Sequence, residues 1–448
     1  SADRSSEDII QSCKDYTMWS WSAQKTVSPI HLARAQGSCF WDGDGKRYID
    51  MNSQLMCSNI GHQHPRVIQA IKDQADQLCY AGPNMATAVR AEFGPLLAKH
   101  TPGDLNKFFF TNGGAEANEN ALKIARQCTG RHKVITRYRS YHGASHGAIA
   151  LTGDPRRWPN EPGGLMGGVV RVFDPYKYRS LLYREGMPDQ EFSHLMVQQL
   201  EETIQYEGPD NIAAMFLETV TGTNGLLPPP EGYLRGVREV LSKYGILMVC
   251  DEVMCGLGRT GAWFAVDHWG VVPDIITMAK GVTSAYLPLG VVAMSAQVAA
   301  AFDNKAYSGG LTYNGHPMCL AAGVAALRVL EEERLVERAH SMGAIMGEHL
   351  ENMKHKHVSV GDVRYIGLFG TMELVKNRAT KESLAPFNGT HPSIAAMNKL
   401  IKDKGLYMFC HWNLLHTTPP LVITKDELDE AFAIIDEALC ITDAAYEA

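Results

Sequence analysis

Two charged residues stand where charge is costly. Asp251 follows the apolar run Ile246–Cys250 (ILMVC), and Lys280 follows Ile275–Ala279 (IITMA). A carboxylate leaving such a run needs a partner, and burial drives an ammonium toward the neutral amine. Taken singly, each reads more readily as a strand-end charge reaching solvent. A third feature follows the apolar run Lys107–Thr111 (KFFFT): Thr111-Asn112-Gly113-Gly114-Ala115-Glu116 opens a helical pattern. Gly114 and Ala115 put little side chain near an incoming group, so free backbone N–H groups, with the helix dipole behind them, suit an anion. An ordinary strand-to-helix turn would read the same way. Ligands of open α/β sheets bind at the carboxyl ends of strands, so three such ends make one constellation. Pyridoxal 5′-phosphate needs these groups together. Its aldehyde forms a Schiff base with a lysine, a buried carboxylate holds the proton on its ring nitrogen, and its phosphate suits a helix N-terminus.

The elements that must position these residues are legible as alternating patterns. Strands are expected at Lys107–Thr111, Lys133–Arg137, Ile212–Glu218, Ile246–Cys250, Ile275–Ala279 and Gly290–Met294. Helices are expected at Ala115–Gln127 and Gly232–Tyr244. Continuous apolar strands separated by helices imply an α/β fold with a parallel sheet covered on both faces. Cys39–Met51 reads as a hairpin around Asp42–Gly45. Helical patterns run from about 320 to 355, Ser393–Lys404 and Lys425–Ala438, with short strands near Asp362–Val375. The expected organisation is a large domain at 60–320 and a smaller α+β domain from 1–59 and 321–448. Asp154–Gly168 is full of breakers and reads as a long loop over a site.

Composition narrows the function classes. The 448 residues are 45% hydrophobic and 20% charged, enough apolar material for a large core and against general disorder. A net charge of −7, from 42 basic against 49 acidic residues, argues against a nucleic-acid-binding role. No apolar run reaches the ~18 residues of a membrane span. The opening SADRSSEDII shows no export signal, and ten scattered cysteines without a C-x-x-C read as thiols in a reducing, cytoplasmic setting. His62 and His64 lack the partners of a metal site, so no metal is expected. Gly256-Leu257-Gly258-Arg259-Thr260-Gly261 matches a dinucleotide fingerprint in letters only. No helix pattern follows it and its acids precede it, so it reads as a tight turn beside a site rather than as a dehydrogenase motif.

With these residues in view, the chain resembles the class III, or ω-amino-acid, aminotransferases of fold-type I pyridoxal phosphate enzymes, from about Gly37 to Ile435. The matching stretches are Asp251-Glu252-Val253 with Gly256–Gly261, Pro273-Asp274-Ile275, Ala279-Lys280-Gly281, Gly61-His62 with His64-Pro65, Gly113–Glu116, Tyr141-His142-Gly143, Gly310–Thr312 and Pro419-Pro420-Leu421. The resemblance implies a mainly parallel seven-stranded sheet. It implies Lys280 as Schiff-base lysine and proton shuttle, and Asp251 as partner of the ring nitrogen. Tyr141 would stack on one ring face and Val253 pack on the other. Gly114 and Ala115 would hold the phosphate, with His142 and Glu218 beside the cofactor. Thr312 would reach the phosphate across a homodimer with shared sites, a dimer of dimers being the larger assembly it allows.

The chain departs from the family at two points. Gly113 stands where the family often has Ser. The stretch Tyr407–Leu421 (YMFCHWNLLHTTPPL) lacks the arginine that several members place before Pro-Pro-Leu to bind a substrate carboxylate. Arg156 and Arg157 are the substitutes expected to bind an acid group, and Trp19 and Trp21 are expected to line the donor pocket. The expected activity moves the terminal amino group of a small ω-amino acid or aminosulfonate (taurine, β-alanine, 4-aminobutyrate) to 2-oxoglutarate or pyruvate. Alternatives are an amine:pyruvate aminotransferase, or an aminomutase, racemase or decarboxylase of the same fold. A binder that merely keeps the fold would not need the Lys280–Asp251 pair.

Overall fold

The computed structural model describes residues 4–447. Ser1–Asp3, part of the stretch read for an export signal, lie outside the described residues. The central sheet has seven strands, ordered Lys107–Thr111, Gly290–Met294, Ile275–Met278, Leu247–Asp251, Ile212–Glu218, Lys133–Arg137 and Val169–Val172. Every residue of the four strands from Gly290–Met294 to Ile212–Glu218 is buried. Their runs are apolar without alternation because both faces are covered. Helix Gly114–Thr129 packs Ala117, Ala121 and Ile124 with Val249, Ile275 and Val292 on one face. Helix Tyr233–Lys243 puts Leu234, Val237 and Leu241 into the core that holds Met248 and Ile276 on the other.

Gly290–Met294 departs from the expected parallel sheet. It runs antiparallel to both its neighbours. Only a short segment with a single 3-10 turn, Lys280–Val282, separates it from Ile275–Met278. Without a crossover helix the chain cannot return to the starting edge, so it reverses. The edge strand Val169–Val172 was not anticipated: it follows the breaker-rich stretch directly and is only four residues long. The expected loop at Asp154–Gly168 contains a 3-10 helix, Pro155–Asn160.

The two chain ends meet. Hairpin Cys39–Asp42/Arg47–Asp50 takes Leu406–Tyr407 as a parallel neighbour, and Ser38 Oγ donates to Glu427 Oε2 at 2.6 Å. A second sheet pairs Val360–Ile366, Phe369–Asn377, Leu414–Thr417 and Phe409–His411, all antiparallel. The helical stretch from about 320 is two helices, Pro317–Glu332 and Leu335–Lys356, parted at Arg334, whose φ is 53°. No helix among the described residues is long and apolar enough to cross a membrane.

Gly256–Gly261 is a turn, and its cargo is Arg259. Gly258 and Gly261 take φ of 90° and 83°, and a Cβ at Gly261 would lie 3.0 Å from the His340 backbone. The turn drives Arg259 into the interior, fully buried. Nη1 donates to the carbonyls of Leu368 (2.9 Å) and Pro419, and Nη2 donates to Asn59 Oδ1 (2.9 Å) and Ser53 Oγ (3.3 Å). One guanidinium thus ties together segments around 53–59, 368 and 419. Arg259→Ala would strand several buried acceptors, each worth about 1–3 kcal/mol. The variant should lose at least about 3 kcal/mol in urea unfolding; an unchanged midpoint would show that the strut carries no load.

Candidate active site

A cavity of about 950 Å³ opens at the carboxyl ends of the sheet strands. Asp251 and Glu218 end adjacent parallel strands and sit side by side in register. Asn112–Ala115 lead from Lys107–Thr111 into helix Gly114–Thr129, and Ala279-Lys280 follow Ile275–Met278; all reach the cavity. The three strand ends that carried the sequence constellation therefore converge on one space.

Its floor is polar and fully organised. Asp251, 3% exposed, accepts from His142 Nδ1 and Asn118 Nδ2 on Oδ2, both at 2.8 Å, and from the Val253 N–H on Oδ1 at 3.0 Å. Asn118 is itself fixed, since its Oδ1 accepts from Thr277 Oγ1 and its Nδ2 also donates to the His142 carbonyl. Glu218 accepts from the Tyr141 N–H at 3.0 Å and the Gly222 N–H at 2.8 Å. Burial raises its carboxyl to about 7, opposed by His142 and reinforced by Asp251. His142 lines the cavity, and its hydrogen bond is to the acid.

The helix start forms a cradle. Gly113 is extended and Gly114 begins the helix. A Cβ at Gly114 would meet both Val253 methyls at 3.0 Å, so Val253 would have to give way to any larger residue. Lys280 Nζ donates to the Leu55 carbonyl at 2.8 Å and lies 3.8 Å from Cys57 Sγ. Leu55 belongs to an unusual turn: Ser53, Gln54, Leu55 and Met56 all have positive φ (47°, 46°, 77°, 56°). Each such non-glycine residue costs about 1–2 kcal/mol. Asp50 braces the turn, accepting from the N–H groups of Asn52 and Gln54 and from His62 Nε2 at 2.8 Å.

The outer wall is aromatic and cationic. The Arg156 guanidinium lies 3.9 Å from the centroid of the Tyr141 ring, and Trp21 meets that ring edge-on at 6.4 Å. Arg156 is not a free cation. Its Nε donates to both Asp154 oxygens (3.1 and 2.9 Å), and its Nη2 donates to Asp154 and to Thr223 Oγ1 (2.9 Å). Phe409 and His411, from the stretch that lacks an arginine, complete the wall.

Trp21, Gly114, Ala115, Tyr141, Arg156 and Val253 thus line the same cavity as Asp251, Glu218 and Lys280. Thr312 does not: it is exposed, and its carbonyl accepts from Tyr80 at 2.9 Å. Arg157 pairs with Glu161 at 3.1 Å, outside the lining. Trp19 holds Gln24 through its backbone and also lies outside it. Three contributors were missed. Asn118 was detectable as a polar residue on the buried face of an otherwise apolar helix stripe. The left-handed turn at 53–56 contains no glycine to announce it. His411 stood in the stretch searched only for arginine. No cluster of His, Cys, Asp and Glu able to hold a metal occurs among the described residues.

A buried carboxylate, a lysine amine and a glycine cradle at a helix start, all at strand ends of one mainly parallel sheet, fit pyridoxal 5′-phosphate. Fold and site define a fold-type I enzyme dependent on that cofactor. A model of the family "Aminotransferase class-III" matches residues 21–439. The structure superposes on a taurine:2-oxoglutarate aminotransferase from Bifidobacterium kashiwanohense, solved with pyridoxal phosphate and glutamate, with a TM-score of 0.95 and 41% identity over 99% of each chain. The sequence is 32% identical to a taurine–pyruvate aminotransferase of Bilophila wadsworthia over 98% of each. It is 35% identical to a diaminobutyrate–2-oxoglutarate transaminase of Halomonas elongata, over 90% of this chain and 88% of that one. The chain belongs to the class III aminotransferases.

Behind Phe409 lies a second histidine, His416, fully buried in the next strand. Burial lowers its imidazole to about 3. The folded protein keeps this ring neutral while the unfolded chain takes up a proton near pH 6.5. The ring's contribution to stability is therefore complete above pH 6.5 and is lost as pH falls toward 3. His416→Phe should flatten the decline: between pH 6.5 and 5 the wild type should lose about 2 kcal/mol more than the variant in urea unfolding.

Proposed function

We propose that the enzyme moves the terminal amino group of a small ω-amino acid or aminosulfonate, such as taurine, β-alanine or 4-aminobutyrate, to a 2-oxo acid, 2-oxoglutarate or pyruvate. The observation that carries this reading is Arg156 in the outer wall of the cavity. Its Nε and Nη2 are engaged, and its Nη1 has no hydrogen-bond partner among the described residues. A guanidinium edge held in place by Asp154 and Thr223 suits the acid group at the far end of such a substrate.

Bound pyridoxal 5′-phosphate supplies the aldehyde that takes up the amino group and a ring that draws electrons from the substrate carbon. In this reading Lys280 Nζ holds the cofactor and then carries the proton at the reacting carbon. Asp251, fixed by His142 and Asn118, keeps the ring nitrogen protonated. Tyr141 and Val253 bracket the ring, and the N–H groups of Gly114 and Ala115 hold the phosphate. Glu218 sets the position of the Tyr141 backbone, and Trp21 lines the donor end.

Thr312 supports a homodimer with shared sites. It is exposed and stands outside the cavity of its own chain, as a residue serving the neighbouring site across a two-fold axis would. Near it lie exposed Tyr80 (42%) and Tyr313 (56%), apolar surface suited to a second copy. The ten cysteines, all free, suit a cytoplasmic setting.

One observation favours a second reading. Asp154 already balances Arg156, and a charge-balanced wall also accepts neutral amines, the donors of an amine:pyruvate aminotransferase. The visible spectrum of the holoenzyme decides between them when amines are added one at a time. A donor removes the colour, and an oxo acid restores it. Steady-state double-reciprocal plots should be parallel, because both half-reactions share one site. Arg156→Ala should lower the preference for acidic over neutral donors, as a ratio of kcat/KM, by about tenfold or more. An unchanged ratio would remove Arg156 from the acid subsite. Steady turnover without any oxo acid would point to a racemase, mutase or decarboxylase.

A further inference from the structure

The hairpin Phe409–His411/Leu414–Thr417 brings an imidazole to the wall that carries Arg156. His411 lines the cavity, and its Nδ1 has no hydrogen-bond partner among the described residues; its Nε2, also unpartnered, is turned into the protein and shut off from solvent. A polar atom on a cavity wall without a protein partner is free to bond a ligand. The ring is also held rigidly. It stacks on Trp412 at 4.1 Å and on Phe409 at 5.9 Å between centroids. Trp412 packs on Phe387 at 4.9 Å, and Phe387 on Trp158 at 6.2 Å. Trp158 is two residues from Arg156. An aromatic chain therefore runs from the segment of Arg156 to His411 and sets their separation.

Resting on the proposed function, we infer that His411 is the second recognition group for the distal acid group of the substrate, hydrogen-bonding an oxygen that Arg156 leaves free. Burial and the neighbouring Arg156 hold the imidazole down to about 4, so it is neutral at pH 7. Asp154 balances Arg156. The subsite thus offers two donors with little net charge, and it takes an anion by hydrogen-bond geometry. This accounts for the missing arginine: a second fixed cation would sit against Arg156, whereas a neutral donor adds a bond without repulsion.

The test uses the holoenzyme and two variants. His411→Phe keeps the stack on Trp412 and removes the polar atoms; His411→Gln keeps a donor. Binding of 2-hydroxyethanesulfonate, an acid with no amine to react, is measured by calorimetry. The ratio of kcat/KM for taurine to that for propylamine is measured alongside. His411→Phe should weaken sulfonate binding about tenfold and lower the ratio about tenfold, through KM rather than kcat. His411→Gln should recover most of both. Unchanged sulfonate binding in His411→Phe, or equal losses on taurine and propylamine, would overturn the role. A wild type that neither binds the sulfonate nor uses any acidic donor would overturn the functional reading itself. Wild-type binding that His411→Phe leaves intact removes only His411.

Discussion

The constraint on which the site depends is the burial of a carboxylate at the end of a strand covered on both faces. A carboxylate is costly to bury unless hydrogen bonds replace its water. The structure supplies three, from His142, Asn118 and Val253. Each arrives from a different element: the loop after Lys133–Arg137, the helix after Lys107–Thr111, and the turn after Leu247–Asp251 itself. To place these donors, the strands must end level with one another, and the register that puts Glu218 beside Asp251 does so. The sheet therefore holds an acid whose remaining unmet valence faces the cavity. In the proposed function a cationic ring nitrogen would complete it.

The outer half of the cavity follows a different electrostatic logic. In the proposed function, Lys280 and Asp251 act on charge that must be stabilised strongly, whereas the Arg156 wall must release its ligand twice per cycle, once as keto product and once as amino product. A lone buried guanidinium would hold any anion tightly in both half-reactions, lowering KM without lowering a barrier. Pairing Arg156 with Asp154 and covering its face with Tyr141 weakens the point charge and keeps the direction of its bonds. Thr223 and Asn224 fix that pair from the loop after Ile212–Glu218. The loop that follows Glu218 thus fixes the Arg156–Asp154 pair on the outer wall.

What was readable in the sequence divides along the range of the interactions. Buried strands announced themselves because complete coverage forces an unbroken apolar run. Asp251 and Lys280 stood out because each ends one. The cradle was readable because Gly114 and Ala115 open a helix after an apolar run and put little side chain near an incoming group. Long-range consequences were not. The reversal at Gly290–Met294 depends on the lack of a crossover helix, which a strand pattern does not display. The pairing of Arg156 with Asp154 was two residues away in sequence, yet a breaker-rich segment gives no rule for which side chains turn inward. The glycines at Gly256–Gly261 were readable as a tight turn, but not what the turn delivers. Their conformation serves Arg259, whose partners lie 160 and 200 residues distant.

The left-handed turn at Ser53–Met56 shows what the remainder of the fold is for. Four consecutive residues without glycine in this conformation would not persist in an isolated segment. They persist because both ends are clamped. Asp50 accepts two of the N–H groups at its start, and Ser53 Oγ donates to the Thr418 carbonyl at 2.6 Å while receiving Arg259. Arg259 is in turn delivered by the glycine turn that follows Asp251. The outcome of this chain of constraints is a single carbonyl, that of Leu55, aimed at Lys280 Nζ. Lys280 has its own strained backbone, with φ of 40°. A flexible four-carbon side chain would otherwise sample many rotamers. The strain on either side of the cavity fixes where the amine rests, and packing as distant as residue 418 thereby reaches the Lys280 amine.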